Sequence, residues 1–332
     1  MTEIRTSLSR DLEIANLKAQ YDHNVKNILS NKIILAWILK YAVNEFVDEP
    51  VEKIMGLIEG EPVIAAVPIY SSQSNILSKI IGVNTEDKVP NEGVVTYNIK
   101  FVVYTPSGER TKLIINIEAQ KEFYTKYDLV TRGVFYGARM LSAQMDIEFK
   151  GDDYDSIKKV YSIWICMNSP KYAQNTITSY KMFQNKIYGN YLGKARFDII
   201  EVIMVCLGKS EDKNGSQLID MLNILLSDKL SVEDNKRTLS DKFAISSTVK
   251  LDKEMRLMCN LSDLVEERGI ERGIERGKNY GESSRLISIV DTFVNKNDVT
   301  LEQALDILSV PVMEYEEARL ITSEWDNGTG SK

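Results

Sequence analysis

Histidine is almost absent from this chain, because His23 is the single one among 332 residues. Ser-His-Asp triads, histidine-rich metal sites and histidine-dependent nucleases each need an imidazole in a defined place. His23 lies in a polar N-terminal segment, and we expect it at the protein surface. Chemistry in this protein should therefore use carboxylates, amides, amines and a hard metal ion.

Cysteine is scarce as well, with three residues far apart in apolar sequence: Cys166, Cys206 and Cys259. An odd number at such spacing predicts buried, reduced thiols rather than disulfides or a zinc site. The apolar runs fall well short of the roughly 18 residues that a membrane-spanning helix needs, and residues 1–5 contain no signal-peptide stretch. We therefore expect a cytoplasmic protein that does not enter a membrane.

An overall excess of positive charge is missing too, since the formal net charge is −7. This balance argues against a general nucleic-acid coat protein, which would be basic. The segment 98–140 differs from the rest, because its seven Lys and Arg residues face four acidic ones and leave a local charge of +3. A hydrophobic content of 43% and a charged content of 27% are usual for a globular protein.

Hydrophobic patterning predicts an α/β fold. Apolar residues at helical spacing indicate helices within 30–47 and 50–59. β-branched and aromatic residues predict strands over 93–104 and 112–119, which the polar run 106–111 joins into a hairpin. Further elements are predicted along the chain: a helix over 127–145, buried strands over 160–167 and 199–207, and a helix over 216–227.

The predicted hairpin brings polar residues of its two strands together. With the turn centred near residues 108 and 109, Asn98 falls opposite Glu118. Because side chains alternate along a strand, Glu118 and Gln120 share one face. The helix that follows carries three polar residues on one of its faces, at spacings i, i+4 and i+7: Arg132, Tyr136 and Arg139. Spacing alone leaves two interpretations open, a solvated polar face and a site that binds a cation and a phosphate.

Four segments carry a resemblance to a known family: YNIKF at 97–101, LIINIEAQK at 113–121, TRGVFYGARM at 131–140 and VYSIWICMN at 160–168. Together they resemble the PD-(D/E)XK nuclease family transposases, relatives of the Rpn recombination-promoting nucleases. The repeated Glu-Arg-Gly sequence near residue 270 is similar to the Gly-rich helical repeats at the C-terminus of that group. The resemblance extends from about residue 30 to residue 280.

The resemblance implies a restriction-endonuclease-like core, with a central mixed β-sheet flanked by helices, and an α-helical C-terminal extension. It also implies Mg²⁺-dependent DNA cleavage, with Mn²⁺ as an alternative ion, in recombination or transposition. Glu118 matches the second acid of the motif, and Gln120 stands in place of its lysine, a substitution known in this group. The expected contacts to DNA phosphates are then Lys121, Arg132, Tyr136 and Arg139.

The sequence departs from the family pattern at Asn98, where an aspartate is expected. An amide oxygen can bind a hard cation but brings no negative charge, so the loss of one carboxylate should weaken a Mg²⁺ site. Glu92 and Glu45 are candidates for a replacement acid. The alternative function is a catalytically inactive nuclease-fold protein that binds DNA or acts as an oligomeric scaffold.

The C-terminal third contains an internal repeat, Glu-Arg-Gly, three times over 267–277. On a helix its glycines form a slowly drifting stripe that another backbone can approach closely: Gly269, Gly273, Gly277 and Gly281. This stripe predicts a homo-oligomer, and a flexible charged linker is the alternative. Short helices over 283–293, 301–308 and 313–320 predict a small structural tail, because the region is too acidic for a DNA-binding helix-turn-helix.

These patterns divide the chain into five predicted parts: an N-terminal segment over 1–29, a nuclease-like core over 30–210, a helical extension over 211–265, a repeat helix or linker over 266–282, and a small helical tail over 283–332.

Overall fold

The structure is a computed structural model that describes residues 7–64, 86–89, 93–96, 98–107, 112–125, 127–208, 215–227, 231–246 and 248–329. The chain separates into two compact units, Met1–Ser262 and Asp263–Lys332. This boundary lies close to the predicted one between residues 265 and 266, and the finer division into five parts stays a prediction.

The first unit is built around a mixed β-sheet. Its described strands are, in chain order, β1 Val63–Ile64, β2 Glu86–Val89, β3 Gly93–Thr96, β4 Ile99–Tyr104, β5 Lys112–Glu122, β6 Val160–Asn168, β7 Thr176–Lys181 and β8 Ile200–Cys206. Six of them form one sheet in the order β1-β4-β5-β6-β8-β7, while β2 and β3 pair separately. The strands β5, β6 and β8 run parallel, and β1, β4 and β7 pair antiparallel with their neighbours.

The described helices are α1 Ser7–Leu29, α2 Lys32–Ala42, α3 Val51–Leu57, α4 Leu129–Ser142, α5 Gln217–Leu225, α6 Val232–Phe243, α7 Val249–Asn297, α8 Leu301–Ile307 and α9 Val312–Thr329. Six of them begin after a polar residue whose side chain accepts a hydrogen bond from a backbone N–H of the first turn: Asn31, Asp128, Ser216, Ser231, Thr248 and Thr300. Such caps satisfy donors that have no partner inside the helix, so short polar residues fix where these helices start.

The two faces of the sheet pack against different helices. Ile115 and Ile117 of β5 belong to the main core, which includes residues of α1, α2, α5 and α6. Ile114 on the other face joins Met140 of α4 and Trp164 of β6 in a smaller core. A mixed sheet covered by helices on both faces confirms the predicted α/β fold class.

The predicted strand over 93–104 is in fact two strands. β3 pairs with β2, β4 pairs with β5, and Asn98 lies in a bend just before β4. A run of β-branched residues has the same two-residue period in both cases, so the pattern could not reveal the break. The hairpin register is nevertheless confirmed, because Ile99 pairs with Ile117 and Asn98 is therefore level with Glu118.

The described part of the N-terminal segment forms the helix α1. Tyr21, Val25 and Ile28 recur at helical spacing on α1 and belong to the main core. His23, which we expected at the surface, is half-buried on this helix, and its Nδ1 atom has no hydrogen-bond partner among the described residues. The apolar spacing of residues 21–28 explains the difference, because it buries one side of the helix.

Two glycines allow α4 to lie directly against the sheet. A Cβ atom at Gly133 would stand 2.6 Å from Cγ1 of Val202 and 3.0 Å from Nε1 of Trp164. A Cβ atom at Gly137 would stand 2.7 Å from Cδ1 of Ile200. The helix therefore approaches β6 and β8 at a distance that a larger residue would not permit.

Gly133→Ala is expected to lower the free energy of unfolding of the first unit by about 1–3 kcal/mol, because the added methyl group overpacks this contact. The matched control is Gly56→Ala on α3, since a Cβ atom there meets no atom within 4 Å. The control should gain about 0.5–1 kcal/mol from higher helix propensity. Urea unfolding followed by circular dichroism measures both, and equal stabilisation of the two variants would contradict the close approach.

The Glu-Arg-Gly repeat lies within α7, so the structure favours a helix over a flexible linker. Cβ atoms at the four glycines of the stripe would meet no atom within 4 Å among the described residues. Self-association through this stripe stays a prediction. In the second unit, a capping box between Thr300 and Gln303 starts α8, and Leu305 packs with Val290 and Tyr315 in a small core.

The cysteines are reduced, as their sequence context predicted, but Cys259 is half-buried rather than buried. Cys166, Cys206 and Cys259 are free thiols, and the first two are buried. Within the described part of the chain, no helix is both long enough and apolar enough to cross a membrane.

Candidate functional site

Glu118 is a buried carboxylate on β5, with 4% of its surface exposed. Its Oε1 atom accepts two hydrogen bonds of 3.0 Å, one from the backbone N–H of Asn98 and one from Nδ2 of Asn116. The antiparallel register brings Asn98 to this carboxylate, as the hairpin prediction required. The contact is made by the backbone of Asn98, whereas the prediction assigned the role to its side chain.

Asn116 is a site residue that the family motif does not single out. It is completely buried, and its Oδ1 atom has no hydrogen-bond partner among the described residues. Leaving a buried polar atom unpaired costs about 1–3 kcal/mol, so such an atom needs an explanation. A signal was present in the sequence, because an asparagine interrupts the apolar run 113–117 two residues before Glu118 and therefore shares its face.

The protein environment disfavours a negative charge on Glu118. Burial raises the pKa of Glu118 to about 7, although the hydrogen bonds from Asn98 and Asn116 and the positive charges of Arg132 and Lys26 oppose the rise. The protein therefore does not fully compensate this carboxylate by its own groups. A cation bound beside Glu118 would favour the ionised form, since an opposite charge nearby lowers the pKa of an acid.

Arg132 is held beside this site by aromatic residues. Its guanidinium donates hydrogen bonds to the hydroxyl groups of Tyr127 (2.8 Å) and Tyr136 (2.6 Å). The guanidinium carbon lies 5.0–5.3 Å from the ring centroids of Tyr127, Tyr136 and Trp164. Asp128, which caps α4, fixes the turn from which Arg132 projects. Arg132 and Tyr136 each interact electrostatically with Glu118, and Tyr127 and Trp164 lie beside the same guanidinium. The predicted phosphate contacts of Arg132 and Tyr136 stay predictions.

Gln120 lies on the same strand face as Glu118 and is half-buried. Lys121, the next residue, is placed toward α1 instead, where its Nζ atom lies 3.9 Å from the centroid of the Tyr21 ring. Arg139 is buried and lies seven residues after Arg132 on α4, about 10 Å along the helix axis. Lys121 and Arg139 therefore do not join Arg132 at the carboxylate, and their predicted phosphate contacts stay predictions.

Two lysines from other elements are also close to the site. Burial lowers the pKa of Lys26 on α1, and the charge of Glu118 opposes this effect, so the two groups interact electrostatically. Lys100 is paired with Asn116 in the β4–β5 register and so belongs to the same sheet face. Lys26 is about 90 residues from Glu118 in the sequence, and no local pattern could have connected them.

Of the two replacement acids considered from sequence, Glu45 does not supply the missing carboxylate. Glu45 accepts a hydrogen bond of 2.6 Å from the Tyr161 hydroxyl and forms an ion pair of 3.4 Å with Lys159. Tyr161 belongs to the main core, on the sheet face opposite Glu118. Glu92 lies outside the described residues. Across the described ranges, no group of three or more His, Cys, Asp or Glu residues is arranged to hold a metal ion.

The fold and the site define the class of the protein. A mixed sheet with helices on both faces, in which a hairpin strand carries a buried glutamate, is a restriction-endonuclease-like nuclease fold. The family model that matches the chain is the PD-(D/E)XK nuclease family transposase, over residues 107–268. The matched segment contains β5, α4, β6 and β8, so it includes the strand that carries Glu118 and the helix that carries Arg132.

Nucleases of this family generally use divalent metal ions. The matched segment begins after Asn98, so the assignment of Asn98 to the position of the missing aspartate stays a prediction, as does the relation to the Rpn proteins. No curated protein and no solved structure matches the chain at a significant level.

Proposed function

We propose that this protein is a divalent-cation-dependent DNA endonuclease, that Mg²⁺ is its ion, and that Mn²⁺ can replace it. One observation carries the proposal: a buried, incompletely compensated carboxylate, Glu118, lies 3.0 Å from the amide of Asn116, whose oxygen has no partner among the described residues. Oxygen atoms of this kind are the ligands that hard divalent cations prefer. The match of residues 107–268 to a nuclease family model supports DNA as the substrate.

The residues present fit such an ion. Its proposed ligands are one carboxylate and two amide side chains: Glu118, Asn116 and Gln120. When bound, the ion would polarise the phosphodiester and make a bound water more acidic. Gln120 is proposed to orient the attacking water. Arg132 is proposed to hold a phosphate oxygen, because its guanidinium is already oriented by the hydroxyl groups of Tyr127 and Tyr136.

Nicking of supercoiled plasmid tests this function. We expect relaxed circles to form with Mg²⁺ or Mn²⁺ and not with EDTA, and we expect Ca²⁺ to support binding with little cleavage. Cleavage that continues unchanged in EDTA would overturn the proposal. Recombination or transposition is the setting that we propose from the family resemblance.

Arg132→Gln is expected to slow the cleavage of plasmid about ten- to a hundredfold, because one preorganised positive charge on the phosphate is lost. The matched control is Val134→Gln, at an exposed position on the same helix, which should cleave at the parent rate. Single-turnover rates at saturating Mg²⁺ compare the two variants. If both variants cleave equally fast, Arg132 does not contact the scissile phosphate.

A second function has its own supporting observation, because no group of three or more His, Cys, Asp or Glu residues in the described part of the chain is arranged to hold a metal ion. A protein that keeps the fold and binds DNA without cutting it would then result. It predicts DNA affinity that falls steeply with salt and no cleavage at any concentration of Mg²⁺ or Mn²⁺. The plasmid experiment separates the two functions directly.

A further inference from the structure

The segment between β7 and β8 exposes an unusual amount of apolar surface. We call residues 180–197 the arm; its first two residues are the last two of β7, and from residue 182 onward it contains neither helix nor strand. Phe183 is 80% exposed, Ile187 is 92% exposed and Tyr188 is fully exposed. Met182, Tyr191 and Leu192 are exposed as well. Clustered apolar side chains of this kind usually mark a binding surface in a soluble protein.

The arm lies at the C-terminal end of a stretch in which every charged residue is basic. Residues 169–197 contain no aspartate or glutamate and five basic residues: Lys171, Lys181, Lys186, Lys194 and Arg196. The whole chain has a net charge of −7, so the remaining residues sum to −12. A basic surface in an otherwise acidic protein is complementary to a polyanion. The cores of protein–protein interfaces are depleted in lysine, which disfavours a second copy of this chain as the occupant.

The arm has a defined base and tip. The guanidinium of Arg196 donates hydrogen bonds to the backbone carbonyl oxygens of Asp155 and Ile157, which anchors the return of the arm. At the tip, Nζ of Lys186 donates to Oδ1 of Asn190 across a distance of 3.2 Å, and Gly189 takes a left-handed φ of 72°. The exposed aromatic side chains of the arm therefore project from a turn of defined backbone conformation.

The arm continues from an open edge of the sheet. β7 pairs with β8 on one side, and no described strand pairs with its other side. The sheet register places Thr178 of β7 in the same row as Glu118, through Trp164 and Met204. The arm begins two residues beyond that row, about 7 Å along the strand and about 14 Å across three strand spacings from β5. A strand of several nucleotides can span this distance.

We infer that the arm binds an unpaired DNA strand, whose bases stack on Phe183, Tyr188 and Tyr191 while the neighbouring lysines neutralise its phosphates. Stacking on aromatic rings needs exposed, unpaired bases and little sequence preference, and interleaved basic residues follow the backbone. This binding is separate from cleavage, since none of the arm residues belongs to the proposed metal and phosphate site. It therefore does not require that Glu118 support catalysis.

Fluorescence anisotropy with a labelled 20-nucleotide single strand, measured in EDTA with the full chain, tests the inference. The triple variant Phe183→Ala/Tyr188→Ala/Tyr191→Ala should bind at least about tenfold more weakly, because each stacked base contributes about that factor. Lys186→Glu/Lys194→Glu should reduce the slope of log affinity against log salt concentration by about one or more units. Phe135→Ala, an exposed aromatic position on α4, is the matched control and should bind as the parent does.

The controls separate this inference from the proposed function. Glu118→Gln should bind the single strand with unchanged affinity, whether or not it cleaves plasmid. Parent-like binding by the triple variant, equal or tighter binding of the fully paired duplex, or a preference for RNA of the same sequence would each overturn the inference. A change of the triple variant from dimer to monomer in light scattering would also overturn it, by assigning the arm to a second copy. Thermal melts confirm that the variants are folded.

Discussion

Glu118→Gln is expected to reduce Mg²⁺-dependent nicking of plasmid about a thousandfold or more while the protein stays folded. The substitution removes the negative charge that holds the cation but keeps an oxygen that can accept the hydrogen bonds of Asn98 and Asn116. A metal-assisted step depends on several kcal/mol of charge stabilisation, and each 1.4 kcal/mol corresponds to a factor of ten in rate. Initial rates of relaxation, at equal protein concentration, measure the effect.

The same substitution makes a prediction about the stability of the metal-free protein. Because the pKa of Glu118 is raised to about 7 in the folded state, the folded protein binds more protons than the unfolded one between about pH 4.5 and 7. The Glu118 carboxyl therefore lowers the stability progressively as pH rises through this window. Glutamine cannot ionise. The free energy of unfolding of the variant should therefore exceed that of the parent by up to about 3 kcal/mol at pH 8 and by much less at pH 5.

Urea unfolding in EDTA at the two pH values measures that difference. A variant that is inactive but as stable as the parent at both pH values would support Glu118 as a metal ligand. It would contradict the conclusion that burial disfavours the charge of Glu118. A variant that cleaves at the parent rate would remove Glu118 from the site altogether. These two outcomes are independent, because one measures catalysis and the other measures the cost of a buried charge.

Local periodicity was enough to predict the centre of this site. Two-residue alternation and hairpin register brought Asn98 level with Glu118, and helical spacing placed Arg132 and Tyr136 on one face of α4. The same periodicity could not reveal that Asn98 follows a break between two strands. Nor could it show that the contact to Glu118 comes from the Asn98 backbone, since side-chain patterns carry no information on which backbone groups lack partners.

The remaining parts of the site depend on contacts that are distant in sequence. Lys26 reaches Glu118 from α1, and the indole of Trp164 faces Arg132 from the neighbouring parallel strand. Both interactions are set by tertiary packing, and the close approach of α4 to Trp164 at Gly133 contributes to the second of them. The hydrophobic pattern also could not predict that the arm is exposed, because apolar residues in a sequence indicate burial more often than exposure.

Asn98→Asp is expected to convert a weak cation site into a strong one. The new carboxylate would stand level with Glu118, and two acids in one site repel each other when no cation is present. The metal-free variant should therefore be less stable than the parent by about 1–2 kcal/mol. Mg²⁺ should reverse this loss, because a ligand at a hundred times its dissociation constant stabilises the folded state by about 2.7 kcal/mol.

Thermal unfolding with increasing Mg²⁺ measures that reversal, and plasmid nicking should accelerate at least about tenfold in the same range of Mg²⁺. The matched control is Asn98→Ala, which keeps the backbone N–H that donates to Glu118 and should leave the metal-free stability nearly unchanged. If Asn98→Asp lowers the stability and Mg²⁺ does not restore it, the position of the missing family aspartate is not at residue 98. If the stability is restored but cleavage stays absent, the chain binds the cation without using it for catalysis, and the DNA-binding function is the correct one.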